Sequence, residues 1–447
     1  MGVVSSAVVG LFLLYADPIV LTGPMVQRDP EKPPEPIKYQ LGLRAELRSG
    51  HPLGFNGATT GSGPARTEAE FNPVAGILLP LEGGGLALSY EPRVFVVPGA
   101  VANDSSGQPG KHVSYLHRGR ITLDYQPSGR WKLFANGRIA YGEYDFSPLT
   151  TIVPGAPPGI GEPTGGTTAT PTTPSPTLPI PGPGTPPAQR VLKVEEYDGG
   201  LGFVHTIAPR LSWLLSGGYT RRGGATPEAQ QALPLQKGPV GATGLQWLLG
   251  PLDAWSTLLS ASSSSFSTGA HSTLVDLTGT WSHSWGRTLQ TDLTGGATAF
   301  RSSGVPNAAG GTQPLQRSVL PVVALAFTQR VLLPAGDVRN VLQLRVAPVP
   351  DQLNGSVYER FETVLLSAVP LVGRLWMELN GGVAVAVSGP QLDARFEGKL
   401  SYVFAPRLTV SLGGRTAWLR GFDPAAPVAF GWVGFLAISG ALVGAPP

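Results

Sequence analysis

The sequence predicts an all-β chain: a transmembrane, antiparallel, up-and-down β-barrel of about 18 strands, with 16 as the alternative count. Three observations carry this. Apolar and polar residues alternate with a period of two through segment after segment. The connections between those segments alternate between tight and long. Charged residues make up only 14% of the chain, against roughly 25% in soluble domains, while a mean hydropathy of +0.08 is too low for a bundle of membrane helices. A strand that meets lipid with every second residue falls in that gap.

The first 16 residues, MGVVSSAVVGLFLLYA, form an apolar stretch of signal-peptide length that breaks at Asp17-Pro18. No Lys or Arg precedes Arg28, and Leu14 occupies the minus-three position where a small residue is usual. The alternative is a short buried or frayed N-terminal segment. Residues 17–36 contain GPMVQRDPEKPPEP, a Pro-rich, charged lead-in placed in the periplasm. The barrel is expected over 37–443, and no other apolar run reaches the length of a membrane helix.

The first strand is expected near Lys38 to Arg48, where Tyr39, Leu41, Leu43, Ala45 and Leu47 alternate with Gln40, Arg44, Glu46 and Arg48. The same pattern places strands near Arg66–Leu79, Gly85–Val97, Lys111–Gln126, Arg130–Phe146, Val191–Ile207, Arg210–Arg222, Gly238–Leu249 and Ala254–Ser267. The second half adds His271–Trp285, Thr288–Ser302, Leu315–Leu332, Val338–Val349, Ser356–Val369, Arg374–Val387, a hairpin within Gln391–Leu419, and Val428–Leu442. Their lengths suit tilted membrane strands.

Tight turns follow Leu79 and stand at Pro127, Ala208, Gly250, Gly286, Pro334, Pro370 and Ala405. The intervening connections, from Gly50, Pro98, Ser147, Gly223, Thr268, Gly304, Pro350, Ser388 and Gly421, are mostly longer. Such sorting suits a barrel with short periplasmic turns on one rim and surface loops on the other, and an even strand number puts both termini on the short-turn side. Trp131, Trp213, Trp247, Trp255, Trp281, Trp285 and Trp376 all stand close to a tight turn; Trp418 and Trp432 flank a long loop. Tyr115, Tyr141, Tyr144, Tyr197, Tyr219 and Tyr358 lie toward the long-loop ends, so the rings read as two interfacial girdles.

The hairpin is the clearest passage. Leu392, Ala394, Phe396, Leu400, Tyr402 and Phe404 alternate with Asp393, Arg395, Glu397, Lys399 and Ser401; after Ala405-Pro406-Arg407 the pattern returns in Leu408, Val410 and Leu412. Alone it suits a soluble sandwich or a membrane barrel; the sorted turns and Trp residues favour the barrel. The polar rows then line the lumen. Candidate pore-lining residues are Arg44, Glu46, Arg48, Arg118, Arg120, Asp124, Arg138, Asp276, Asp292, Arg339, Arg345, Asp393, Arg395, Glu397, Lys399 and Arg415, with Arg130, Glu196, Asp198 and Arg407 on the same reading. Barrels of this width hold water, and the mixed lining suits hydrated or mildly anionic solutes. The competing reading is that these charges only pair between neighbouring strands.

The long loop 147–190 holds TPTTPSPTLPIPGPGTPP, an extended, stiff tract that either folds inward or projects as a surface spacer. Nothing points to catalysis. His112 and His117 face opposite sides of one strand, His205, His271 and His283 lack regularly spaced companions, and Ser262–Ser265 has no nucleophile-elbow context. Zero Cys removes thiol chemistry and disulfides, and no metal or cofactor is expected. A net charge of +3 is too small for a nucleic-acid partner.

Over nearly its whole length the chain resembles Gram-negative outer-membrane β-barrels of the porin size class. In strand number, lack of a periplasmic domain and Arg, Gly and Pro bias it also resembles myxobacterial-type polysaccharide-export barrels, although no motif transfers residue by residue. The resemblance implies a non-enzymatic transport barrel with outer-membrane lipid around it, a hydrophilic solute or sugar polymer within it, and a periplasmic export partner. The alternatives are a general diffusion porin, an outer-membrane enzyme and an adhesion barrel. Such barrels usually end in an aromatic residue, whereas this chain ends GALVGAPP with Phe435 its last aromatic, so an internal segment is expected to carry the assembly signal.

Overall fold

The computed structural model describes residues 37–51, 66–96, 113–145, 191–286, 288–305, 312–333, 336–350, 355–387, 389, 392–405, 407–420 and 428–444. The expected signal peptide, the lead-in 17–36, the Pro/Thr-rich loop 147–190 and His112 lie outside the described residues.

In chain order the strands are β1 (Lys38–His51), β2 (Arg66–Leu81), β3 (Gly84–Tyr90), β4 (Arg93–Val96), β5 (Val113–Ser128), β6 (Trp131–Asp145), β7 (Val191–Ala208), β8 (Leu211–Gly224), β9 (Gln236–Leu248) and β10 (Asp253–Phe266). They continue with β11 (His271–Trp285), β12 (Leu289–Ser303), β13 (Gln316–Leu333), β14 (Gly336–Pro350), β15 (Val357–Val372), β16 (Leu375–Ala386), β17 (Leu392–Ala405), β18 (Leu408–Arg420) and β19 (Ala429–Gly444). A short helix, α1 (Pro227–Ala232), interrupts the connection from β8 to β9.

Each strand pairs antiparallel with its sequence neighbours, and β1 pairs with β19 from Tyr39↔Gly444 to His51↔Trp432, which closes the sheet. Closure removes the two open edges that a flat sheet would present. The segments β3 and β4 are one barrel strand: Ala75↔Tyr90 and Phe71↔Val94 share a register against β2, with Glu91-Pro92 between. Pro92 has no N–H to give the ladder, so pairing lapses there without a slip. The 19 segments therefore make an 18-strand barrel.

The tight connections lie at one rim. At Gly83, φ is +81° and an added Cβ would meet the Gln126 carbonyl oxygen at 2.5 Å, so this turn requires glycine. At the opposite rim most connections are longer, but β10 and β11 are joined by only Ser267–Ala270. Neither sequence periodicity nor loop composition anticipated α1. Its local signal is nonetheless plain: Thr226 accepts a hydrogen bond from the Ala229 N–H at 3.2 Å, Pro227 opens the helix and Glu228 stands in its first turn.

The two faces of the sheet are the reverse of a soluble protein's. Leu41, Leu43, Leu47, Leu201, Val319 and Leu412 are exposed, Leu201 by 70%, while Arg48 on the other face is 1% exposed. A continuous outer surface of Leu, Val, Ile and aromatic side chains is stable only against lipid, where each such side chain avoids roughly 1.5–3 kcal/mol of contact with water.

The candidate functional site in the barrel interior

The polar positions converge because of strand parity. On β1, Arg44, Glu46 and Arg48 alternate with exposed Leu43 and Leu47, and across the pairing they meet Asn72, Glu70 and Glu68 of β2. The largest network follows. Arg48 donates from Nε to Glu68 at 2.9 Å and from Nη1 to Glu70 at 3.1 Å. Arg93 of β4 donates to the same Glu70 at 2.7 Å, and the Asn72 amide also donates to Glu70, at 2.9 Å. On the other side Arg44 reaches Glu46 at 3.0 Å.

Across the closure seam Arg415 of β18 donates from Nη2 to Glu46 at 2.9 Å and from Nε to Glu397 at 2.5 Å. Its guanidinium lies 4.2 Å from the centre of the Phe435 ring on β19, and that of Arg48 lies 4.7 Å from Phe95. Arg395 grips Asp393 with two bonds of 2.7 Å. Guanidinium forks bind carboxylates in pairs and stack on rings, so this wall is a rigid, charge-compensated lattice and not a field of loose charges.

Elsewhere the pairs are smaller. Arg118 meets Glu91 at 3.1 Å, Lys132 meets Asp124 at 3.0 Å, Arg138 meets Glu196 at 2.8 Å, and Lys399 meets Glu378 at 2.8 Å. Arg120 pairs in register with Arg138, which in turn lies opposite Asp198. Asp276 accepts from Ser260 at 3.0 Å and from Thr298, and Asp292 accepts from Gln290 at 3.0 Å. Around these two carboxylates β9–β12 present hydroxyls and amides: Gln246, Ser256, Ser260, Ser272, Thr280 and Thr298 are all buried. Arg345 lies in register with Glu362, which is held by Arg360. The side chain of Arg339 lies outside the described residues.

Several expectations need correction. Arg130 and Arg407 stand in exposed turns at the rim, outside the paired strands. Trp376 lies opposite Ser401, whose hydroxyl bonds Glu378, so parity puts it on the enclosed face and it cannot join an outer girdle. Tyr358, opposite Val349 and two residues from Arg360, shares that inner parity. Trp131, Trp247, Trp255 and Trp285 are exposed on the outer face; Trp213 and Trp281 are partly covered there, Trp213 bonding Thr243 at 2.8 Å and Trp281 bonding Asp253 at 3.1 Å.

Sequence reading missed Glu68, Glu70, Arg93, Glu362 and Glu378. For the first two the signal was present in RTEAEFN, where Glu68, Glu70 and Asn72 take alternate positions. The enclosed face is also not polar throughout. Leu116, Ala140, Leu192 and Val194 are buried on it, because α1 and its neighbour Leu233 fold inward and pack on them through Ala229 and Leu233. Among the described residues no His, Cys, Asp and Glu cluster could hold a metal ion.

An apolar exterior, a closed antiparallel sheet and a charge-compensated, hydroxyl-rich interior define a transport barrel of the outer-membrane type. The chain belongs to the EpsX exopolysaccharide export family, which it matches over residues 59–444. No curated protein sequence matches it. Similar solved structures include OccAB4 of Acinetobacter baumannii, at 9% identity and TM-score 0.43 over 92% of this chain and 99% of that one. OccK1 (OpdK) of Pseudomonas aeruginosa is similar at 12% identity and TM-score 0.44 over 91% and 99%. The ferric citrate transporter FecA is similar at 11% identity and TM-score 0.43 over 92% and 79%.

Proposed function

We propose that this barrel is the outer-membrane conduit through which a secreted polysaccharide leaves the cell. Membership of the EpsX exopolysaccharide export family carries the reading. The interior chemistry supports it. Sugars bind through dense, cooperative hydrogen bonding, and β9–β12 offer a sector of hydroxyls and amides beside Asp276 and Asp292. The facing sector, from β17 through β4, has its charges already committed to one another, so a passing polymer meets polarity without a strong electrostatic trap. Conduction requires binding weak enough to leave.

On this reading Arg44, Glu46, Arg48, Arg118, Arg120, Asp124, Arg138, Asp276, Asp292, Arg345, Asp393, Arg395, Glu397, Lys399 and Arg415 line the pore. The tight turns and both termini face the periplasm, where an export partner delivers the chain. The barrel moves its substrate without chemical change and uses no cofactor. The test is removal of the protein from the producing cell: polymer then accumulates in the periplasm and disappears from the medium, and the reading fails if secretion continues at the normal rate.

A further inference from the structure

The outer surface carries a feature that transport does not use. At the rim of the longer connections, two groups of strands separated by β10 and β11 present cations outward on the same face as the lipid-exposed leucines: Lys193 on β7, Arg221 on β8 and Lys237 on β9, then Arg301 on β12 and Arg317 on β13. Arg221 pairs directly with Lys237, and Arg301 with Arg317. Each stands within three residues of its strand's end at that rim. Arg221 is bridged to Glu195 at 2.6 Å, and Lys193 lies over the Tyr141 ring. Lys237, Arg301 and Arg317 are exposed and make no ion pair among the described residues.

Two contrasts give the belt meaning. At the opposite rim the outward positions of β7 to β12 carry Ile207, Trp213, Trp247, Trp255, Trp285 and Leu289, one from each strand and none of them Lys or Arg. Directly along the outer face from the cations the surface turns apolar: Val319, two residues from Arg317, is 66% exposed, and Leu215, Leu259 and Leu277 continue that surface. Cations above a largely apolar band complement one kind of partner, an amphiphile with phosphate at its head and acyl chains below. Adjacent strands lie about 4.8 Å apart, so β7 to β13 offer a frontage wide enough for a headgroup bearing two separated phosphates. Longer connections mark the cell-surface rim, so the belt meets the outer leaflet.

We propose that Lys237, Arg301 and Arg317, flanked by Arg221 and Lys193, form a docking surface for a bis-phosphorylated glycolipid of the outer leaflet. The site lies outside the lumen and does not depend on what the lumen carries. The full-length protein in phosphatidylcholine nanodiscs is titrated with bis-phosphorylated lipid A and with its dephosphorylated form, with bound lipid read by native mass spectrometry. The phosphorylated form is expected to bind more tightly, and the triple variant Lys237→Gln/Arg301→Gln/Arg317→Gln to lose affinity on the order of 100-fold, at about tenfold or somewhat less per surface cation. A control variant at the opposite rim, Arg210→Gln/Arg407→Gln, keeps wild-type affinity. Heat-resistant migration in detergent verifies that each variant is folded, and should the triple variant fail to insert, the wild-type comparison of the two lipids decides. The proposal is overturned if the folded triple variant binds as wild type, if removing the phosphates leaves affinity unchanged, or if phosphatidylglycerol competes at equal affinity.

Discussion

Arg415 and Glu46 stand 369 positions apart in the sequence, yet the guanidinium of one donates to the carboxylate of the other across the seam where the last strand meets the first. The strand between them, β19, contributes the Phe435 ring beneath Arg415. Side-chain exposures of 5% and 3% leave the pair nearly cut off from solvent. Removing one member of such a pair leaves a buried charge exposed to its neighbours, so Arg415→Leu, which takes the guanidinium from Glu397 and leaves Glu46 to Arg44 and Arg48, should cost about 3–5 kcal/mol. Urea unfolding in lipid vesicles, followed by Trp fluorescence, measures this. Adding Glu46→Gln and Glu397→Gln to Arg415→Leu should recover part of the loss, since neutral amides need no counter-charge.

The outer face makes a simpler prediction. Leu400 is 44% exposed and lies within β17 between Met377 and Leu412 on neighbouring strands. Leu400→Arg places a charge against the hydrocarbon core and should reduce insertion stability by about 2–4 kcal/mol. Arg395→Leu, on the enclosed face, leaves Asp393 without its clamp but still inserts. Folding yields into vesicles separate the two variants; the reverse ranking would invert the assignment of inside and outside.

A close approach of backbones supports the seam. A Cβ at Gly413 would come within 2.4 Å of the Gly398 carbonyl oxygen and 2.7 Å of the Phe435 ring. Gly413→Val should therefore push β18 from β17 and tilt the ring from under Arg415. The expected loss is about 1–3 kcal/mol, as for other overpacked sites, and is read in the same unfolding assay.

The inward-folded connection makes a prediction about flow. Leu233 is 4% exposed and packs with Ala229 on Leu116, Ala140, Leu192 and Val194. Leu233→Ala removes about 2–5 kcal/mol of packing that holds α1 against the wall. Single-channel recordings should then show a larger or noisier open current, while the barrel's unfolding midpoint moves little because the sheet is untouched.

The sequence disclosed the sheet because period-two alternation and sorted turns are local properties, and both survive into β1, β17 and β18 almost residue by residue. Closure was legible only as a consequence of the strand number: nothing within 40 residues of Glu46 names Arg415 as its partner. Trp376 misled because nearness to a turn says nothing about parity, which the irregular pairing between Pro370 and Val372 helps to set. The helix α1 was hidden by its brevity, since its 6 residues span fewer than two turns and cannot show a repeat, and only its cap at Thr226 spoke for it. Inner apolar residues such as Leu192 and Val194 stand in the row that Glu196 and Asp198 continue, and they are the floor on which that helix rests.

If the interior is a passage for a sugar polymer, the polymer must enter it and obstruct the flow of ions. Single-channel conductance of the full-length protein in planar bilayers tests it most directly, with polysaccharide from the producing cell added to the side of the tight turns. The account predicts an open conductance that the polymer reduces in discrete blocking events, which shorten as the applied force on the polymer increases. An open conductance indifferent to the polymer would make the barrel a diffusion porin, and a closed barrel that never conducts would contradict transport altogether.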